Sequence, residues 1–175
     1  GSSRVLKAMN RHYDRETYLD EVRRLKALIP DIVLTSDIIV GFPGETEAEF
    51  EETLSLLEEV RFDSLFTFIF SPRVGTPAAK MEDPVPMTEK KKWFQRLLDT
   101  QNRISVEKHK EYIGRILPVL VEEENPADAV NNLNCRTDGW RLVHVPGDVS
   151  LLGQRKKVKI TDCSTWSLFG EFVEE

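Results

Sequence analysis

The sequence predicts an α/β segment followed by a small antiparallel β-barrel, and three observations carry that reading. Two apolar runs, residues 32–40 and 65–70, flank an amphipathic pattern, as strand, helix and strand do in a βαβ unit. The first run passes through Gly41-Phe42-Pro43-Gly44-Glu45 directly into Thr46-Glu47-Ala48-Glu49, a Gly/Pro turn followed by a capping box. Beyond Gly114 the pattern changes to short alternating runs separated by Gly, Asn and Asp turns, the habit of a small barrel.

Each element has its own signal. Ser3 is placed to cap a short helix carrying Val5, Leu6 and Met9, and Asp14 to cap a second, whose Tyr18, Leu19, Val22, Leu25 and Ile29 recur at helical spacing until Pro30. Residues 32–40 are β-branched and apolar with Thr35, Ser36 and Asp37 among them, which predicts a strand buried on both faces and therefore a parallel one. Gly41 and Gly44 permit positive φ and close approach of a ligand, while Pro43 stiffens the turn. The helix that follows presents Phe50, Leu54, Leu57 and Val60 on one face, and residues 65–70 predict a second buried strand joined by a right-handed crossover. That strand ends in Ser71-Pro72-Arg73-Val74-Gly75-Thr76-Pro77-Ala78, a second turn-rich loop at the carboxyl edge where α/β sheets and barrels bind ligands.

After the rigid connector Asp83-Pro84-Val85-Pro86, Thr88 is placed to cap a long helix reaching about Tyr112, with Phe94, Leu97, Leu98, Gln101, Ile104 and Lys108 along one stripe. Gly114 ends it. Residues 116–121, 135–136, 140–145, 158–160 and 168–173 are the expected barrel strands, and Gly114 is the expected domain boundary.

Composition narrows the class. In 175 residues, 40% hydrophobic content is enough for ordinary cores. No apolar run approaches the roughly 20 residues needed to cross a bilayer, and the start lacks the apolar core of a signal peptide, so a cytoplasmic protein without membrane contact is expected. Gly1 and Ser2 read equally well as a tag remnant. The two cysteines, Cys135 and Cys163, lack metal or disulfide spacing and are expected to be buried free thiols. His12, His109 and His144 stand apart in sequence and read as structural or solvated. A net charge of −6 argues against nucleic-acid binding by bulk electrostatics. Two basic patches remain, Lys90, Lys91, Lys92 and Arg96 at a helix start and Arg155, Lys156, Lys157 and Lys159 near the end, and on charge alone each reads first as a solvated face.

Two parallel strands cannot cover their own faces, and a (β/α) barrel takes eight units over roughly 250 residues. Residues 1–113 therefore read as the last part of a larger α/β domain, with residues 114–175 as a second domain.

Three segments together resemble one family, the radical S-adenosylmethionine (SAM) methylthiotransferases: Gly1-Ser2-Ser3-Arg4-Val5-Leu6-Lys7-Ala8-Met9-Asn10-Arg11, Asp37 to Thr46 with Gly-Phe-Pro-Gly-Glu-Thr, and Phe70 to Ala78 with Ser-Pro-Arg-Val-Gly-Thr-Pro-Ala. The tail from Gly114, ending in Ser167-Leu168-Phe169-Gly170-Glu171, is similar to that family's TRAM domain, a small RNA-binding, OB-like barrel. Met9-Asn10-Arg11 and Thr165-Trp166-Ser167-Leu168 are closer to the tRNA-modifying branch than to the branch that modifies a ribosomal protein.

The resemblance implies a partial (β/α) barrel of the radical SAM type and a parent enzyme that adds a methylthio group at C2 of an isopentenylated adenosine beside the anticodon. In such a parent one 4Fe-4S cluster cleaves S-adenosylmethionine and an auxiliary cluster supplies sulfur. This sequence has no Cys-x-x-x-Cys-x-x-Cys, so the cluster ligands are expected in a missing amino-terminal part, and this chain alone is expected to be inactive.

Carried onto matching positions, the resemblance assigns Asp37, Gly41, Pro43, Gly44 and Glu45 to the SAM pocket. Ser71 and Arg73 go to the methionyl end or a substrate phosphate, and Gly75, Thr76 and Pro77 to the adenine. Asp37 also reads as a turn acceptor, and Arg73 as a surface arginine bridging Glu45. In the tail, Trp166 and Phe169 are candidates to stack on unpaired bases of a tRNA anticodon stem-loop while Arg155, Lys156, Lys157 and Lys159 track its backbone. Both aromatics equally suit the barrel interior. The rival class is an RNA-binding module without a catalytic parent.

Overall fold

The computed structural model describes residues 1–173, in two compact units, the first Gly1–Ile104 and the second from Ser105 onward. The first unit holds helices α1 (Ser3–Ala8), α2 (Arg15–Leu28) and α3 (Glu47–Val60), strands β1 (Thr35–Val40) and β2 (Ser64–Ile69), and most of α4 (Met87–Lys110). The division between units falls inside α4, ahead of Gly114.

β1 and β2 pair in parallel, from Thr35 opposite Ser64 to Val40 opposite Ile69, with α3 as the crossover. The expected helix between two parallel strands is present. Burial on both faces is not. In β1 only Ile38 and Val40 are buried, and in β2 Phe66 and Phe68 are 60% and 52% exposed. A two-stranded sheet has one covered face, and here it is packed against Leu19 and Val22 of α2, Phe50, Leu56, Leu57 and Val60 of α3, and Trp93, Leu97 and Ile104 of α4. Trp93, which the expected stripe on α4 omitted, stacks on Phe50 with ring centres 5.4 Å apart.

Caps follow the sequence with two corrections. Ser2, not Ser3, caps α1, its hydroxyl accepting from Val5 N, and Thr88 lies inside α4 rather than ahead of it. Asp14 caps α2 as expected, and Thr46 with Glu49 forms the full capping box of α3. Gly1 and Ser2 are part of the fold rather than an appendage. Ser2 is 3% exposed, and a Cβ on Gly1 would stand 2.2 Å from Thr53 N.

The second unit is a closed barrel of β3 (Ile116–Glu124), β4 (Leu133–Thr137), β5 (Leu142–Val145), β6 (Arg155–Cys163) and β7 (Leu168–Phe172), in the order β3-β4-β5-β7-β6. Closure removes the open edges that a small sheet would otherwise expose. It is not wholly antiparallel, because β5 and β7 run parallel. Inward residues Val119, Val121, Leu133, Cys135, Val143, Val145, Val158, Ile160 and Leu168 fill it. His109 Nδ1 lies 2.9 Å from Ser164 O, and His144 Nδ1 2.8 Å from Asn134 Oδ1, so both serve structure. No helix among the described residues is long and apolar enough to cross a membrane.

Candidate functional site

The turn after β1 is held from several directions. Gly41 and Gly44 adopt φ of 72° and 76°, and Glu45 N donates to Phe42 O at 2.9 Å. The Glu45 carboxylate, 3% exposed, folds back and accepts from Gly41 N at 2.5 Å and Phe42 N at 3.2 Å. Burial pushes its pKa up, and the two amides pull the other way. On the other side Lys90 Nζ donates to the Gly41 carbonyl at 2.6 Å and lies 2.5 Å from Asp83 Oδ2. The backbone of Gly41 is thus clamped between a carboxylate on its N–H and an ammonium on its C=O.

A second brace comes from α1. Arg4 Nη2 donates to Gly44 O and to Glu49 Oε2, both at 2.6 Å, Arg4 Nε pairs with Glu49 Oε1, and Ser2 Oγ is 3.2 Å from the same oxygen. The Arg4 guanidinium, aided by Thr46, holds the Glu49 carboxyl down to about 2. Neither Arg4 nor Lys90 figured among the expected site residues. The patch of Lys90, Lys91, Lys92 and Arg96 is also not a free basic surface. Lys90 is 2% exposed, Lys92 pairs with Glu89, and Arg96 pairs with Glu47 and Glu51.

Because β1 and β2 are parallel neighbours, both loops leave the same end of the sheet. Phe70 N donates to Val40 O at 2.8 Å, and the rings of Phe42 and Phe70 meet edge to face at 5.2 Å. Beyond that contact the second loop opens outward. Ser71, Arg73 and Gly75 are exposed, with Gly75 at φ 89°. Thr76 donates to Arg73 O at 2.8 Å and caps the 3-10 turn Pro77–Lys80. The alternative in which Arg73 bridges Glu45 does not arise, since the Glu45 carboxylate is committed to its own loop.

A cavity of ≈ 100 Å³ opens beside β1. Of the expected cofactor residues it takes Asp37 and Glu45, and it completes its lining with Leu6, Met9, Arg11 and Tyr18 from the α1–α2 region. Gly41, Pro43, Gly44, Ser71, Arg73, Gly75, Thr76 and Pro77 lie outside the lining. Enclosed drug-sized ligands usually occupy about 300 Å³ or more, so this cavity fits one portion of a larger molecule. The charged lining of the cavity is mixed, with Asp37 and Glu45 beside Arg11 and Arg15. The residues do not fit an iron-sulfur cluster. Among the described residues no group of three or more His, Cys, Asp or Glu is placed to hold a metal, and Cys135 lies in the barrel core with its thiol raised by burial to about 11.

In the barrel, the four basic residues do not form one row. Arg155, Lys157 and Lys159 share the outer face of β6, opposite Leu120, Pro118 and Ile116 of β3, while Lys156 alternates to the other face opposite Val119. Trp166 is 73% exposed, so it does not fill the interior, but it sits beyond Cys163, at the far end of β6 from Arg155. Phe169 is half-buried against His144, with ring centres 5.3 Å apart. The aromatic next to the Arg155 end is Trp140. The sequence pattern placed it in a strand, but it occupies the β4–β5 turn at φ 60° and is 77% exposed. The Asp-Gly that precedes it was the available turn signal.

Comparison with known proteins bears on both units. The profile of the radical SAM superfamily matches residues 1–57, and that of the TRAM domain matches residues 110–173. The chain is 54% identical over 173 residues to a tRNA-2-methylthio-N(6)-dimethylallyladenosine synthase of Clostridium botulinum (strain Hall), covering 99% of this chain and 38% of that protein. Proteins of the same name from Bacillus cytotoxicus and Geobacillus kaustophilus are 54% and 53% identical over all of this chain, which covers 34% and 33% of their lengths. The chain spans about a third of the length of these curated relatives. A radical SAM segment joined to a TRAM barrel defines the class. Within that class, the proteins this chain resembles along its whole length are synthases of that one name.

Proposed function

We propose that this chain is the carboxyl-terminal portion of a radical SAM tRNA methylthiotransferase, an enzyme that adds a methylthio group to C2 of an isopentenylated adenosine next to the anticodon. The observation that carries the reading is the 54% identity maintained over 99% of the chain to a synthase named for that product. The exposed outer face of β2 supports it further, since Phe66 and Phe68 are the kind of surface a larger α/β barrel covers.

In this reading residues 1–113 are the last part of the catalytic barrel and residues 114–175 the RNA-binding domain, in a cytoplasmic enzyme. S-adenosylmethionine, when bound, supplies the radical that activates the substrate. Asp37 and the Gly41–Glu45 loop hold and orient it, with Ser71, Arg73, Gly75, Thr76 and Pro77 presented by the second loop at the same end of the sheet. Lys90, Glu45 and Arg4 fix the loop. The cluster ligands belong to the missing amino-terminal part of the same polypeptide, and the chain alone does not turn over. The partner is the anticodon stem-loop of tRNA, met by the barrel.

The test is to extend the chain at its amino terminus with the corresponding sequence of the Clostridium botulinum relative, reconstitute clusters anaerobically and digest the treated tRNA. Methylthiolated adenosine is the expected product. Deoxyadenosine formation with unmodified tRNA sinks the substrate assignment, and modification of a ribosomal protein instead moves the chain to the other branch.

A further inference from the structure

We propose that Trp140 is the base-stacking platform of the barrel, working with Arg136, Arg155, Lys157 and Lys159 as a track for single-stranded RNA. This rests on the reading of the barrel as RNA-binding and names the surface that does it. The first observation is conformational. Trp140 N donates to Thr137 O at 2.9 Å, and Thr137 N to Arg141 O at 3.0 Å, so Thr137 to Arg141 close a tight hairpin with Trp140 at its left-handed position. That position favours Gly or Asn, and a bulky side chain there is a backbone outlier. With Trp140 77% exposed, burial within the described structure does not offset this cost, and a flat ring in solvent is a surface for another π-system.

The second observation is what surrounds the ring. The Arg136 guanidinium carbon lies 5.9 Å from its centre. Leu120 of β3 is opposite Arg136 on β4 and opposite Arg155 on β6, so the two arginines flank one exposed leucine on the outer face. Arg155 reaches back toward the Trp140 hairpin, with Nη2 3.6 Å from Asp138 Oδ1, and Arg136 Nε lies 3.1 Å from Glu122 Oε2. The exposed Arg155–Asp138 pair exchanges for phosphate at little cost, while the half-buried Arg136–Glu122 pair keeps the Arg136 guanidinium extended beside the ring. Lys157 and Lys159 continue along β6 at two-residue steps of about 6.7 Å, comparable with successive phosphates of an extended strand. Glu171 of β7, opposite Lys159, marks the acidic limit of the track. A base on Trp140 with its backbone running along β6 uses every one of these groups, whereas Trp166 lies at the opposite end.

The experiment titrates the full 175-residue chain with a fluorescent single-stranded RNA of about 12 nucleotides over a salt series. Trp140→Asn, which suits the left-handed turn, is expected to weaken binding about tenfold without changing the log–log salt slope, because no charge is lost. Trp140→Phe keeps a ring and stays within about threefold of wild type, and Trp166→Ala within about twofold. Arg155→Gln with Lys157→Gln lowers the salt slope by about 1.4. If Trp140→Asn binds as wild type while the double variant loses slope, the platform is overturned and RNA binding by the barrel stands. If wild type shows no salt-dependent binding, the RNA reading itself fails and the platform with it.

Discussion

Lys90 reaches across 49 residues of sequence to donate to the carbonyl of Gly41 at 2.6 Å, with its side chain 2% exposed. Replacing it by methionine keeps the stem but leaves that carbonyl unpaired and Asp83 without its cation. Lys90→Met is expected to destabilise the chain by about 1–3 kcal/mol in urea unfolding. A loss below about 0.5 kcal/mol would show that water replaces the ammonium freely.

Gly41 and Gly44 share a left-handed backbone but not an environment. A Cβ on Gly41 would sit 2.5 Å from Lys90 Cδ, whereas one on Gly44 would meet nothing within 4 Å. Both alanine variants carry the left-handed cost of about 1–2 kcal/mol, and Gly41→Ala is expected to exceed Gly44→Ala because it also displaces the clamp. Equal losses in parallel denaturation curves would place the strain in the backbone alone.

The two glutamates of this turn titrate in opposite senses. Glu49 is held at about 2 against an ordinary 4.5, so its stabilising contribution is complete above about pH 4.5 and is lost as pH falls through about 2. Glu45 is raised by burial, so its charge opposes folding above the ordinary carboxylate range, and that opposition is relieved as pH falls through its folded value. Glu49→Gln is therefore expected to flatten the acid limb of the stability–pH profile. Glu45→Gln is expected to remove a contribution of the other sign. Identical profiles for the two variants would contradict the assignment.

Thiol chemistry separates the cysteines. Cys135 is fully buried with its pKa raised to about 11, while Cys163 is half-buried. In the folded protein a maleimide is expected to label Cys163 first, with Cys135 reacting only on unfolding. Simultaneous labelling would mean that the barrel core opens readily.

Much of the local structure was legible because its signals lie within a few residues. Thr46 with Glu49, Gly41 and Gly44 at positive φ, and the βαβ pattern each depend on neighbours in sequence. What escaped depends on distance. Lys90 looks like one of three surface lysines until α4 is docked against the turn, and Arg4 pairs with Glu49 across 45 residues. The cavity residues Leu6, Met9 and Tyr18 come from helices whose spacing identifies a core face but not the gap beside it. Likewise, alternation placed Trp140 in a strand because the Asp-Gly turn that extends to it breaks no hydrophobic period.

The central claim is that Asp37 and the clamped Gly41–Glu45 turn form part of a SAM site. Its most direct test is the equilibrium affinity of the amino-terminally extended, cluster-reconstituted protein for S-adenosylmethionine, compared with its Asp37→Ala variant. Asp37 is exposed on β1, so the fold should survive the change, and a loss of about tenfold or more is the predicted result. Unchanged affinity in a folded, cluster-loaded variant would contradict the claim.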